Sequence, residues 1–208
     1  MNCRRRENKM TASEMLGLVS SLLIIPVYFI YLKQISKGES IPNPATWIIL
    51  LVVMSMNAVT FAIMVISWEK CLLAIFCAAM TIIVFVYSYI KRKFVEFSKL
   101  DYFCLALAAA VGILWLTTGN ARLANLMLQI ILFVSFVPIW VGLKSGRLKE
   151  KSPPWILGVI SYCLTLAVII SNWSGDIAQL LYPLVNGILG NGSVAVMAIH
   201  YNRKRIIA

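Results

Sequence analysis

Seven apolar stretches of spanning length, joined by short polar loops, constrain this chain more than any other feature. A helix needs about 20 mainly apolar residues to cross the hydrocarbon layer of a bilayer. The stretches run approximately over Ala12–Lys33, Ala45–Ser67, Cys71–Ile90, Tyr102–Thr118, Leu123–Leu143, Pro154–Asn172 and Ile177–Tyr201. Only 13% of the 208 residues are charged and 61% are hydrophobic, whereas a soluble domain carries about 25% charged residues. So few charges cannot coat a water-facing surface, but a lipid-facing surface requires no polar coat. The expected fold class is an all-α integral membrane protein with seven transmembrane helices. A basic segment precedes the first stretch, as it does in a signal peptide. The run from Met15 to Leu32 is long enough to span, however, and six more follow, so it is read as a retained membrane helix.

The net charge is +11. In a soluble protein this would suggest nucleic acid as a partner, but here the basic residues sit between apolar runs and no nucleic-acid motif accompanies them. They bear on orientation instead. One side of a seven-span chain carries Arg4, Arg5, Arg6, Lys9, Lys70 and Arg122. The other carries Lys33, Lys37, Lys91, Arg92, Lys93, Lys99, Lys144, Arg147, Lys149, Lys151, Arg203, Lys204 and Arg205. The positive-inside rule puts the richer side in the cytosol. The C-terminus is then cytosolic and the N-terminus outside, in a plasma or inner membrane rather than an organelle. The basic N-terminal tail opposes this assignment.

Chemistry of the enzymatic kind has little to build on. The five cysteines, Cys3, Cys71, Cys77, Cys104 and Cys163, form no CxxC pair, and four lie in or beside apolar runs, where they read as small buried side chains. His200 is the single histidine and falls at the end of the last stretch. No metal-ligand cluster and no phosphate-binding loop are visible. Neither a cofactor nor an enzyme activity is expected.

The chain repeats itself. Leu32 to Val52 reads LKQISKGESIPNPATWIILLV and Leu143 to Ile160 reads LKSGRLKEKSPPWILGVI. In both, an apolar helix ends in Leu-Lys, and a polar loop, proline, tryptophan and a second apolar helix follow. Trp47 and Trp155 are 108 residues apart. The third stretches also end alike, Tyr89-Ile-Lys-Arg-Lys against Tyr201-Asn-Arg-Lys-Arg, 112 residues apart. Stretches 1–3 and 5–7 therefore form two copies of one unit, with stretch 4 as an inverting helix that makes the copies parallel. The expected units are a basic tail over residues 1–11, a first triple over 12–93, a linker helix over 94–122 and a second triple over 123–205.

This 3+1+3 plan, with a proline-bearing loop between the first two helices of each triple, resembles the SWEET and PQ-loop transporter superfamily over about Ala12 to Arg205. The Pro-Gln dipeptide of the PQ-loop group is replaced by Pro42-Asn43-Pro44 and Pro153-Pro154. The resemblance implies facilitated, alternating-access transport of a small polar solute such as a sugar, and an outside N-terminus. It also implies an asparagine on the third helix of a repeat as a substrate contact. Asn186 matches best, with Asn191 one turn on, whereas the corresponding stretch Ala74 to Ala79 has no asparagine. Three other readings stand beside this one: a receptor or sorting protein on the same fold, as KDEL receptors resemble SWEET transporters, a proton-coupled amino-acid or vitamin carrier, and a structural or assembly membrane protein, which would lack a polar cavity. The expected partners are a small solute and membrane lipid, and association of identical copies stays open.

Side-chain chemistry supplies further candidates. Asn57 lies mid-way along the second stretch, where an unpartnered amide is costly. Tyr162, mid-way along the sixth, offers an aromatic face at a similar depth. Pro26 and Pro138 sit inside stretches 1 and 5 and are candidate hinges. Pro44 with Trp47, and Pro154 with Trp155, are candidate gate elements at the cytosolic end. The alternatives are plain: proline at a helix start is punctuation, tryptophan at a helix end fits an interfacial belt, and membrane asparagines often only join helices. No acidic or basic residue falls mid-span, which favours facilitated diffusion over proton coupling.

Overall fold

The computed structural model describes residues 10–64, 68–117 and 121–207. Helices α1 (Ala12–Ser36), α2 (Pro44–Met64), α3 (Trp68–Ile90), α4 (Lys99–Leu116), α5 (Ala121–Lys144) and α6 (Ser152–Ser171) come first. A last rod follows, made of α7 (Ala178–Tyr182), a π-helical segment (Pro183–Asn191) and α8 (Gly192–Ile207). No strand occurs among the described residues. Six helices are long and apolar enough to cross a membrane, as in a multi-pass membrane protein: Ala12–Ser36, Pro44–Ile63, Lys70–Ile90, Asn125–Lys144, Ser152–Ser171 and Ala178–Asn202. The seventh expected span, α4, is not among them. It starts with Lys99 and Asp101 in its first turn and ends close to residues 118–120, which lie outside the described residues. The expected stretch ends at Ser67 and Thr118, and the basic N-terminal tail up to Lys9, lie outside the described residues.

Helix ends follow local chemistry. Thr11 and Glu14 form a capping box at the start of α1, and Ser98 with Asp101 does the same for α4. Asn43 caps α2 through its Oδ1, which accepts from Thr46 N–H at 2.9 Å. Helices α1 and α5 each end two residues before a glycine with positive φ, Gly38 at 69° and Gly146 at 76°, a backbone that a side chain strains. The same 108-residue step that separates Gly38 from Gly146 separates the ends of α1 and α5, the starts of α2 and α6, and Trp47 from Trp155.

Helix α3 packs against both α1 and α2, and the last rod packs against both α5 and α6. Across these groups α1 lies on α6 and α2 on α5, while α4 rests on α5 and α2. The α1–α6 seam is built from small residues, which let backbones approach. Ser20, Ser161 and Thr165 are buried there; Thr165 Oγ1 donates to Ser20 Oγ at 3.0 Å, and Ser161 Oγ donates to the Ser20 carbonyl.

One face of the bundle carries the loops 37–43, 91–98 and 145–151, and they are stitched together. Ile41 N–H donates to the Lys149 carbonyl at 2.9 Å, Val95 N–H to the Pro42 carbonyl at 3.2 Å, and Arg147 to the Glu96 carbonyl at 3.0 Å. Asp101 joins all three loops: it accepts from Asn43 Nδ2 at 2.8 Å, from Ser98 Oγ at 2.6 Å and from Arg147 at 3.1 Å. Burial alone would raise the Asp101 pKa, but the bonds from Ser98, Arg147 and Asn43 outweigh it and hold the carboxyl below its ordinary range. At the opposite face, Lys70 Nζ donates to the Asn172 carbonyl at 2.7 Å, and Asn172 Nδ2 donates to Ser13 Oγ. That contact ties α3, α6 and α1.

Candidate functional site

A cavity of about 50 Å³ lies where α1, α2, α3, α5, α6 and the last rod meet. Its lining residues are buried or half-buried. One wall is polar and comes from the π-helical segment and α6. Asn186 Nδ2 donates to Tyr162 Oη, and Tyr162 Oη in turn shares hydrogen bonds with Tyr182 Oη at 3.0 Å and Cys77 Sγ at 3.2 Å. Asn191 Nδ2 donates to the Asn186 carbonyl. The remaining wall is apolar, with Ile24, Val27, Leu50, Met54 and Phe136.

The π-helix explains how Asn186 reaches the site. π-Helices are rare, usually a single turn, and frequent at functional sites. Pro183 opens this one; lacking an N–H, it cannot continue the α ladder behind it. Close packing then fixes it. A Cβ at Gly187 would lie 2.2 Å from Tyr162 Cβ, and one at Gly190 would lie 2.2 Å from the Phe136 ring. The space beside these glycines is filled by Tyr162 and Phe136.

Toward the stitched face the cavity ends in aromatic rings. Tyr31 stacks on Trp47 with centroids 5.3 Å apart and meets Trp155 edge-on at 5.7 Å, while Tyr28 meets Trp47 edge-on at 6.5 Å. Trp47 and Trp155 are buried rather than set in an interfacial belt, unlike Trp68 and Trp173, which are exposed. Behind Trp155 lies Glu150, 1% exposed. Its carboxylate accepts from Tyr31 Oη at 2.8 Å and from Trp155 Nε1 at 3.3 Å. Burial pushes its pKa up to about 8, against the lowering influence of Tyr31, Trp155 and Ser40. Trp47 Nε1, the counterpart of Trp155 Nε1, is buried without a partner.

Of the residues singled out in the sequence, Asn186, Asn191, Tyr162, Trp47, Pro154 and Trp155 line this one cavity. Asn57 does not. It sits in a separate amide knot on the α2–α5 seam, where Asn125 Nδ2 and Gln129 Nε2 each donate to its Oδ1 at 3.0 Å. Pro44 starts α2. Pro26 is exposed on α1 and Pro138 buried in α5. In the turn before Pro138 the Ser135 carbonyl accepts Thr46 Oγ1 from α2 at 2.8 Å, a side-chain tie between the two helices. Cys77, Tyr28, Tyr31, Met54 and Phe136 line the cavity and were not singled out, nor was Glu150 behind it. Ile24, Tyr28, Tyr31 and Ile35 follow the three-to-four spacing of one helix face, a signal that an all-apolar helix conceals.

The chain matches no family model, no curated protein and no solved structure.

Proposed function

We propose that this chain is a small-solute carrier on the SWEET-like 3+1+3 plan, in which the triples α1–α3 and α5 to the last rod rock about the cavity. The supporting observation is the cavity itself, buried on the seam between the two groups, with the Asn186–Tyr162 wall on one side and an aromatic closure at one end. The common 108-residue step supports the repeat. So does the packing: exchanging the triples turns α1-on-α6 into α5-on-α2. Helix α4 then serves as the linker and a seventh, short crossing. The aromatic closure acts as the gate, with Trp47 from one triple and Trp155 from the other. A ligand pocket for a drug-sized solute occupies about 300–1,000 Å³, so the 50 Å³ cavity corresponds to a contracted state that must widen to load. The basic loops and C-terminus face the cytosol, and the host is a plasma or inner membrane.

A receptor for acidic peptides is the weaker reading, because no basic side chain is among the cavity-lining residues. The buried Glu150 at the closure favours a proton-responsive carrier over a purely passive one.

The test is uptake by the purified protein in liposomes, screened across sugars, amino acids and nucleosides. At least one solute should enter faster than into empty liposomes, and Asn186→Ala should slow it by about 2- to 13-fold. That range follows from losing a neutral hydrogen bond worth about 0.5–1.5 kcal/mol. Monodisperse protein that moves none of these solutes, or wild-type uptake by Asn186→Ala, would count against the site.

A further inference from the structure

Glu150 is buried at a place where two halves of the molecule meet. It belongs to the 145–151 loop, yet Tyr31 of α1 donates to one carboxyl oxygen and Trp155 of α6 to the other. Both rings are also cavity walls. The loop around Glu150 is fixed as well: Lys151 N–H donates to Ser40 Oγ at 3.2 Å, and Asn202 Nδ2 of α8 donates to the Glu150 carbonyl at 2.8 Å. Any motion that parts α1 from α6 at this end must break the Tyr31–Glu150 bond and let water reach the carboxyl.

The surroundings suit an uncharged acid. The groups that face Glu150 are Tyr31, Trp155, Ser40 and Asn202, and each is neutral. Ser40 Oγ gives its own proton to Gln34 Oε1 at 3.1 Å and accepts from Lys151 N–H. Lys149 and Lys151 flank Glu150 in sequence but are exposed, as is His200 on α8; the side chains of residues 203–208 lie outside the described residues. Among the described residues no cation balances a bare carboxylate here, and an unbalanced buried charge is costly.

We infer that Glu150 is a proton-binding latch, protonated while the Tyr31–Trp47–Trp155 closure holds and giving its proton to water on the stitched face when α1 and α6 part. The inference rests on reading that closure as a gate. The direction of the linkage follows. With the gate closed the carboxyl titrates at about 8, above its ordinary 4.5; in water it returns toward the ordinary value. Protons therefore favour closure, fully so below 4.5, and that preference is lost as pH rises through about 8. One proton can change the ratio of open to closed forms by at most about tenfold per pH unit.

The experiment uses the purified full chain in lipid nanodiscs, titrated from below 4.5 to above 8. Infrared difference spectra between wild type and Glu150→Gln isolate the carbonyl band of the protonated acid. That band is expected to vanish with a midpoint near 8; a midpoint near 4.5 overturns the latch. In parallel, alkylation of Cys77 in the cavity wall by a small maleimide is followed by mass spectrometry. The ratio of wild-type to Glu150→Gln rates cancels the thiol's own ionisation. It should rise through the same midpoint, and a flat ratio overturns the coupling to the gate. Tyr31→Phe keeps the carboxyl and removes a donor to its charged form, so its infrared midpoint should move upward, which keeps the test decisive if Glu150→Gln does not fold. The infrared midpoint requires no transported solute, so failure of the carrier reading and failure of the proton site are distinguishable.

Discussion

Asn125 donates to Asn57 Oδ1 at 3.0 Å and to Thr60 Oγ1 at 3.4 Å, and Gln129 donates to the same Asn57 oxygen. Asn57 Nδ2 and Gln129 Oε1 are left without partners, so one amide NH2 and one amide oxygen of the knot are free. Asn125→Ala should destabilise the protein by about 1 kcal/mol, within the range found for interhelical hydrogen bonds in membranes, and solute affinity should stay unchanged; unfolding in mixed micelles reads the first and uptake the second. Asp101 behaves differently because it is charged. Its carboxyl is held below the ordinary 3.8, so its contribution is present above that value and fades as pH falls through the lower folded value. Wild type should lose thermal stability on acidification through that window, and Asp101→Asn, less stable at neutral pH, should lose less. The sequence revealed the amides but not their division of labour. Asn57 and Asn186 look alike in an apolar helix, and only the partner helix decides which one meets a cavity. Glu150, between Lys149 and Lys151, reads as a solvated charge. Its one sequence signal is Trp155 five residues on, whose indole needs an acceptor once buried.

Among the elements, the last rod departs most from expectation. Its span was legible from hydropathy, but a nine-residue π-helix has no propensity signature beyond Pro183 and the glycines that follow. Gly190→Ala tests whether close packing holds that segment in place. The added methyl would meet the Phe136 ring, and overpacking of this kind costs about 1–3 kcal/mol. A lowered unfolding midpoint is expected, with recovery on combining Gly190→Ala with Phe136→Leu. If Gly190→Ala is as stable as wild type, the Phe136 contact does not constrain the segment. Helix α4 shows the opposite limit. That stretch 4 is the shortest apolar run was readable, whereas the tie of Asp101 to all three loops was not.

For the whole molecule, the apolar runs carried the all-helical, multi-pass character, because a bilayer admits few alternatives to helices. The pairing of α1 with α6 and of α2 with α5 was not readable, since it depends on buried small residues such as Ser20 and Thr165 that no periodicity flags. Orientation remains a matter of charge. Lys37→Cys should react with an impermeant thiol reagent only from the cytosolic side and Ser174→Cys only from outside; the reverse pattern would invert the topology. Ser40, in the same loop as Lys37, is 1% exposed and would be a poor label site.

The smallness of the cavity has an electrical consequence. Driving one elementary charge through a membrane potential is worth about 2.3 kcal/mol per 100 mV, so a water file that also conducted ions or protons would drain the gradient across the membrane. Here about 50 Å³ of space holds a few water molecules at most, and aromatic rings bound it on one side. If the chain is the carrier proposed above, a bilayer crowded with this form should insulate, and voltage-clamp recordings of it should show no steady open-channel current.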